Sequence, residues 1–182
     1  MTAPMSKCPL LALALIVAGC NTAPASAPAE AAPTPRPYST LAQLMRGIPF
    51  PNSNIVFDTQ TTDPGARHDP GEARRGGATA DFGHVYGGWQ AVENGALAVA
   101  ETATLIMVPG RSCENGRPAP VDRQDYQRFA SQLADAGLAA YKAAQSRNLD
   151  AMVEVSGTVS DACAACHEVY RDKDDPKDRC IR

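Results

Sequence analysis

From Tyr38 onward the apolar positions recur every three or four residues, without a convincing run of strand alternation, and this pattern predicts four helices. The first opens at Ser39-Thr40, with Gln43 in capping-box spacing from Thr40, and places Leu41, Leu44, Met45 and Ile48 on one face. Pro49 and Pro51 kink or interrupt it, and a second short helical piece runs through Ile55 to about Gln60. The stretch 61–80, dense in Gly, Pro, Asp and Arg, reads as a long surface loop.

The second helix is expected from about Gly83 to Val108, with Trp89, Val92, Ala96, Val99, Ala103 and Ile106 on its inner face; Pro109-Gly110 stops it. A loop holding Cys113 and the turn residues Asn115, Gly116 and Pro118 leads to the third, from about Asp122, its expected N-cap, to Arg147. Tyr126, Phe129, Leu133, Gly137 and Tyr141 should face inward there. The fourth runs from about Leu149 to Arg171 with Met152, Val159, Cys163, Cys166, His167 and Tyr170 on its inner face, before a charged tail from Asp172 to Asp178. Short loops between the later helices favour antiparallel neighbours, so the expected fold is all-α, an antiparallel (up-and-down) four-helix bundle.

The N-terminus changes the setting of this bundle. Residues 1–19 carry a single charge, Lys7, and an apolar-to-small run from Pro9 to Gly19 that is too short to span a bilayer, the pattern of an export signal. Val17-Ala18-Gly19-Cys20 looks like the lipobox of bacterial lipoproteins, in which the chain is cut before the cysteine and Cys20 is acylated; the alternative is an ordinary signal cut further on, after Ala25. Asn21 lacks the acidic inner-membrane retention signal, which favours the outer membrane. Each buried methylene of the lipid contributes about 0.8 kcal/mol, so several chains together hold the protein to the surface without spanning it. Residues 20–37, almost entirely Ala, Pro, Ser and Thr after the cysteine, form a tether, and 38–182 the folded domain. With 182 residues, of which 44% are hydrophobic, one domain is expected. The net charge of −3 becomes −4 once the leader and its one lysine are removed, leaving 16 basic against 20 acidic residues, which argues against a nucleic-acid partner.

Six cysteines then divide by role. Cys8 leaves with the leader and Cys20 takes the lipid. Cys163 and Cys166 belong to Cys163-Ala164-Ala165-Cys166-His167, which leaves Cys113 and Cys180 as an even pair in a compartment where disulfides persist, and they are predicted to be bridged. On a helix, Cys163, Cys166 and His167 project the same way. Two thiols can join the vinyl groups of one haem while the adjacent imidazole reaches its iron. Zinc competes, but would have to recruit Cys113, Cys180, His68 or His84 from distant loops. A thioredoxin-like dithiol also competes, but that motif sits at a strand-to-helix turn.

A haem motif at the end of a four-helix chain resembles the class II cytochromes c, the cytochrome c prime family, and the run from Cys163 to Arg171, Cys-Ala-Ala-Cys-His-Glu-Val-Tyr-Arg, is similar to that family's C-terminal signature. The resemblance spans about Tyr38 to Arg171 by helix order, and the last helix alone by specific residues. It implies one covalent haem c held in a left-handed antiparallel bundle, His167 as proximal iron ligand, and the first helix across the distal face. Family members with a methionine in that helix are six-coordinate electron carriers, and those with an apolar residue are five-coordinate and bind small gases; Met45 is the distal candidate here. Its bland alternative is core packing, which a flexible thioether does well. His84 is a rival ligand and His68 a weaker one, while Met107 and Met152 read as core. Arg171 could reach a haem propionate, as the family's arginine does, or be a solvated cation at a helix C-terminus. Tyr170 is expected against the porphyrin edge. The Cys113/Cys180 pair and the long loop after the first helix depart from the family pattern.

The resulting expectation is a periplasmic, membrane-tethered electron carrier that is not an enzyme, exchanging electrons with periplasmic redox proteins and contacting the membrane through its lipid anchor alone. A five-coordinate protein binding NO or CO is the alternative, and a haem subunit docked to a periplasmic dehydrogenase or oxidase is the third. A homodimer fits any of them, since family members often dimerise. No paired carboxylates, serine triad or phosphate loop asks for catalysis, and Gly87-Gly88 lacks the setting of a nucleotide motif.

Overall fold

A computed structural model describes residues 34–66 and 86–181. The leader, Cys20, most of the tether, His68 and His84 lie outside the described residues. Thr40 begins the first helix as its spacing predicts: its hydroxyl accepts from Gln43 N–H at 3.2 Å, and Gln43 Oε1 accepts from Thr40 N–H at 2.9 Å. Helix α1 spans Leu41–Gly47 and α2 spans Pro49–Asp58. The prolines split the leg rather than kink it, because Pro49 takes the first-turn position where a missing N–H costs nothing.

Helix α3, Trp89–Ile106, starts about six residues later than the hydrophobic pattern suggests. Gly88 precedes it at φ +62°, and a Cβ there would meet the Pro64 carbonyl oxygen at 2.8 Å, so this position needs a glycine and the chain turns into the helix here. Helix α4 covers Gln124–Ser146 and α5 covers Leu149–Tyr170. Asp122 is not the cap of α4: Arg123 occupies that position without a side-chain hydrogen bond, and the nearby carboxylate that meets backbone is Asp125, accepting from Tyr126 N–H at 3.1 Å. Two residues join α4 to α5. Arg147 turns the chain in the left-handed region, a place glycine more often holds, and Asn148 caps α5 by accepting from Ala151 N–H at 3.1 Å.

The described residues are all-helical, with no strand and one isolated bridge, Ser112 to Pro118, in the loop before α4. Helix α3 packs on α2 and α4, and α5 packs on α4 and α2. None of these helices is long and apolar enough to cross a membrane. The core has two parts. One is built of small side chains, with Val92, Ala96 and Val99 of α3 meeting Ala136 and Ala140 of α4 and Met152 and Val159 of α5. The other gathers Leu44 of α1, Ile106, Tyr126, Ala130 and Tyr170, with Leu41, Met45, Ile48, Met107 and Phe129 partly buried around it. Met152 is thus core as expected, Met107 lies at the core's edge, and Phe129 and Tyr141 are only half-buried.

Cys113 and Cys180 form a disulfide with Cα atoms 6.5 Å apart, as the cysteine count predicts. The bond fastens the C-terminal tail to the loop before α4. Asn115 Nδ2 adds contacts to the carbonyl oxygens of Pro176, Lys177 and Arg179 at 3.0–3.3 Å. Cys180 N–H donates to the Tyr170 carbonyl at 2.8 Å.

Two predictions concern stability. A Cβ at Gly137 would lie 2.6 Å from Ala100 N and 2.9 Å from its Cα, backbone that cannot step aside. Gly137→Val should therefore cost about 1–3 kcal/mol in denaturant unfolding, whereas Gly157→Ala, on an exposed turn of α5 with nothing within 4 Å, should gain roughly 0.5–1 kcal/mol. Replacing both Cys113 and Cys180 by alanine opens a loop of sequence separation 67 and should cost about 2–5 kcal/mol, read as a lower denaturation midpoint in the absence of reductant.

Candidate haem-attachment site

The buried stripe of α5 runs Met152, Ser156, Val159 and Tyr170. Cys163 and Cys166 continue the same three-four spacing between Val159 and Tyr170, with His167 one position further on. All three are half-buried. Cys163 packs against the small-residue core and Cys166 against the core that holds Leu44 and Tyr126, so the motif straddles the junction of the two. The thiols are free and not bonded to each other.

Their chemistry follows from this setting. Burial pushes the Cys163 thiol up, against a lowering influence from Arg171. Burial, with a smaller contribution from Cys163 and Asp125, pushes Cys166 up to about 12. Both are therefore protonated at neutral pH, unlike the lowered thiol that a thioredoxin-type nucleophile needs. Burial lowers His167, Arg171 lowers it further and Asp172 opposes them, so the imidazole is neutral at pH 7 with a lone pair to offer. Zinc is poorly served: the disulfide consumes Cys113 and Cys180, and the described residues contain no group of three or more His, Cys, Asp or Glu that could hold a metal ion.

Met45 of α1 is half-buried and packs against the same core as Cys166. The fold thus brings to one apolar region two residues 121 positions apart in sequence, the distal candidate and a candidate attachment cysteine. Arg171 pairs with Asp172 at 2.6 Å, and both side chains are more than a third exposed. Its charge nevertheless acts on Cys163 and His167, which sets it beside the motif. Two surface depressions, of about 510 and 730 Å³, are lined by residues at the start of α4 and by a groove between α3 and α4 that includes Met107 and Ala130; neither is lined by the motif.

Tyr170 takes part in an arrangement that sequence reasoning missed. It is 4% exposed, with its ring edge-on to Tyr126 at 5.4 Å and to Phe129 at 6.4 Å. Its hydroxyl donates to Asp125 Oδ1 at 2.8 Å and accepts from Arg123 Nε at 2.9 Å. Arg123 also pairs with Asp125 at 3.2 Å. An acid in the first turn of a helix is a common dipole-favourable feature, so nothing in the sequence singles out Asp125 as the partner of a tyrosine 45 positions away.

Two protonated, unbonded thiols and a neutral imidazole on one helix face, an apolar surround and a nearby guanidinium form a donor set that fits a covalently attached haem. Comparison with protein-family models, characterised proteins and solved structures gives no match.

Asp125 generates an acid-stability prediction. Burial favours its neutral form, but the hydrogen bonds from Tyr170 and Arg123 outweigh that and hold its carboxyl down to about 2, against 3.8 for an ordinary aspartate. A carboxylate with a depressed folded pKa binds protons more weakly in the native state than in the unfolded one. Its stabilisation is complete above about 3.8 and is lost as the pH falls toward about 2. The melting temperature should drop through that window, and Asp125→Asn should flatten this part of the profile while lowering the plateau above it.

Proposed function

We propose that this chain is a mono-haem c-type cytochrome of the periplasm, tethered by a lipid on Cys20 and acting in electron transfer. The observation that carries the reading is the single half-buried face of α5 on which Cys163, Cys166 and His167 stand with free thiols, next to the apolar core shared with Met45. The finer fold proposed with it is an antiparallel up-and-down bundle of four helical legs, the first being α1 and α2 together.

Each residue has a defined task. The free Cys163 and Cys166 thiols of α5 would hold the prosthetic group covalently through its two vinyl substituents. His167, whose imidazole is neutral, and Met45 would hold the iron through nitrogen and sulfur, and Arg171 would offer a positive charge to a propionate. A haem held there would supply one-electron chemistry between its ferric and ferrous states. The apolar side chains Leu44, Ile48 and Phe129 keep water from this region, which favours small reorganisation on redox change. The partners are periplasmic redox proteins, and the Ala/Pro-rich tether gives the domain reach between them. Similarity of Cys163–Arg171 to the class II signature adds support.

Packing of Met45 among Leu41, Leu44 and Ile48 also suits a second reading, in which the thioether is plain core and an open iron binds NO or CO.

Spectroscopy of the exported protein tests both. Haem should remain attached after denaturation, and replacing Cys163 and Cys166 together by alanine should abolish that attachment. Met/His ligation should give the weak far-red ferric band and ferrous iron that resists carbon monoxide, with Met45→Leu opening the iron to it. Rapid carbon monoxide binding by the unaltered protein would assign the gas-binding reading, and absence of covalent haem would sink both.

A further inference from the structure

Buried polar atoms usually find partners, so those that do not call for an explanation. Arg111 is 5% exposed and Tyr126 only 1%. Arg111 Nη1 donates to the Ser39 carbonyl at 2.7 Å and to its hydroxyl at 3.1 Å, and Nη2 donates to the Leu105 carbonyl at 3.1 Å. These acceptors are neutral, and among the described residues no carboxylate pairs with this buried cation. Among the described residues its Nε–H has no acceptor, and neither does the Tyr126 hydroxyl. Both donors border one region: Tyr126 belongs to the core around Leu44 and Ile106, and Leu105, whose carbonyl Arg111 holds, packs against that core. Cys166 packs against that same core, so the Tyr126 hydroxyl, the buried cation and a candidate attachment cysteine all adjoin one region.

A buried guanidinium with an unused donor, at the same core region as a hydroxyl that also lacks an acceptor, suits an anion. Burial of both groups disfavours a freely exchanging hydrated ion. A carboxylate carried by a ligand fixed at Cys166 arrives already dehydrated and already positioned. We propose that Arg111 Nε and the Tyr126 hydroxyl form an internal carboxylate site that receives a propionate of the haem. This rests on the haem reading above and assigns Arg111 and Tyr126 a role distinct from that of the more exposed Arg171.

The test uses the haem-loaded protein and two readouts, the propionate-bending band in resonance Raman spectra and the midpoint potential. Tyr126→Phe deletes a hydroxyl that has no protein partner, so the fold should be untouched, and the band should shift with little change in potential. Arg111→Met should shift the band and lower the potential, because a buried positive charge near the iron is lost, and Arg111→Lys should restore much of the potential. Should Arg111→Met fail to fold, Tyr126→Phe and Arg111→Lys decide. Bands indistinguishable from the unaltered protein's in these variants would overturn the proposal while leaving the haem reading intact. A potential of the unaltered protein that follows phosphate concentration at constant ionic strength would assign the site to a free ion and also overturn it. Lack of haem in the unaltered protein would remove both.

Discussion

The rotation of α5 about its own axis is the constraint on which the candidate site depends, and Tyr170 sets it at the C-terminal end. A tyrosine is buried at low cost only if its hydroxyl finds partners. Here Asp125 and Arg123 supply them at 2.8 and 2.9 Å, while Tyr126 and Phe129 meet the ring edge-on. With Met152, Ser156 and Val159 buried along the same stripe, a single rotation satisfies all four residues. Cys163 and Cys166 fall between them on that stripe, and His167 beside it. A turn of α5 large enough to expose the motif would strand a tyrosine hydroxyl, a buried serine and two large apolar side chains.

The two-part core explains why the motif sits where it does. Around Ala96, Ala136 and Ala140 the helices approach closely, and the contact of Gly137 with Ala100 leaves no room for a methyl group. Larger and more adaptable side chains, Met45, Met107, Phe129 and Tyr126, collect at the other end. The tight part therefore acts as a fixed frame, and the part that includes α1 is built of side chains better able to repack. Helix α1 is held by its ends rather than by length: Leu41 N–H donates to the Ser112 carbonyl at 2.8 Å, Arg111 grips Ser39, and the exposed pair Arg46 with Glu114 adds little.

Features set by local spacing or by cysteine parity were legible, and the other contacts between distant residues were not. The Thr40/Gln43 box, the period of α4 and α5, and the pairing of Cys113 with Cys180 follow from spacing, capping chemistry and cysteine arithmetic. Asp122 misled because a good cap residue needs the chain to turn at its own position, and it turns at Arg123. The start of α3 was placed too early because the hydrophobic pattern carries no record of the Gly88 backbone approaching Pro64. The placing of Cys163, Cys166 and His167 on one helix was legible too. Their surroundings were not: Asp125 with Tyr170, and Arg111 with Tyr126, join residues with no periodic relation, and their importance appears only once burial has been assigned to each.

A motif in the last two turns of a helix faces a further difficulty, because terminal carbonyls lack intrahelical partners and such turns fray. The chain answers this with its own tail. Arg171 and Asp172 N–H both donate to the His167 carbonyl at 2.8 Å, and Cys180 N–H donates to that of Tyr170. Cys180 can reach Tyr170 because the disulfide to Cys113 and the three contacts of Asn115 hold the tail against the loop before α4. That loop also carries Ser112 and Arg111, which hold the start of α1. One loop thus holds both the helix that presents Cys163 and Cys166 and the helix that carries Met45. A cross-link that the composition alone would explain as a staple for a small exported domain also fixes the two walls of the candidate site to a common support.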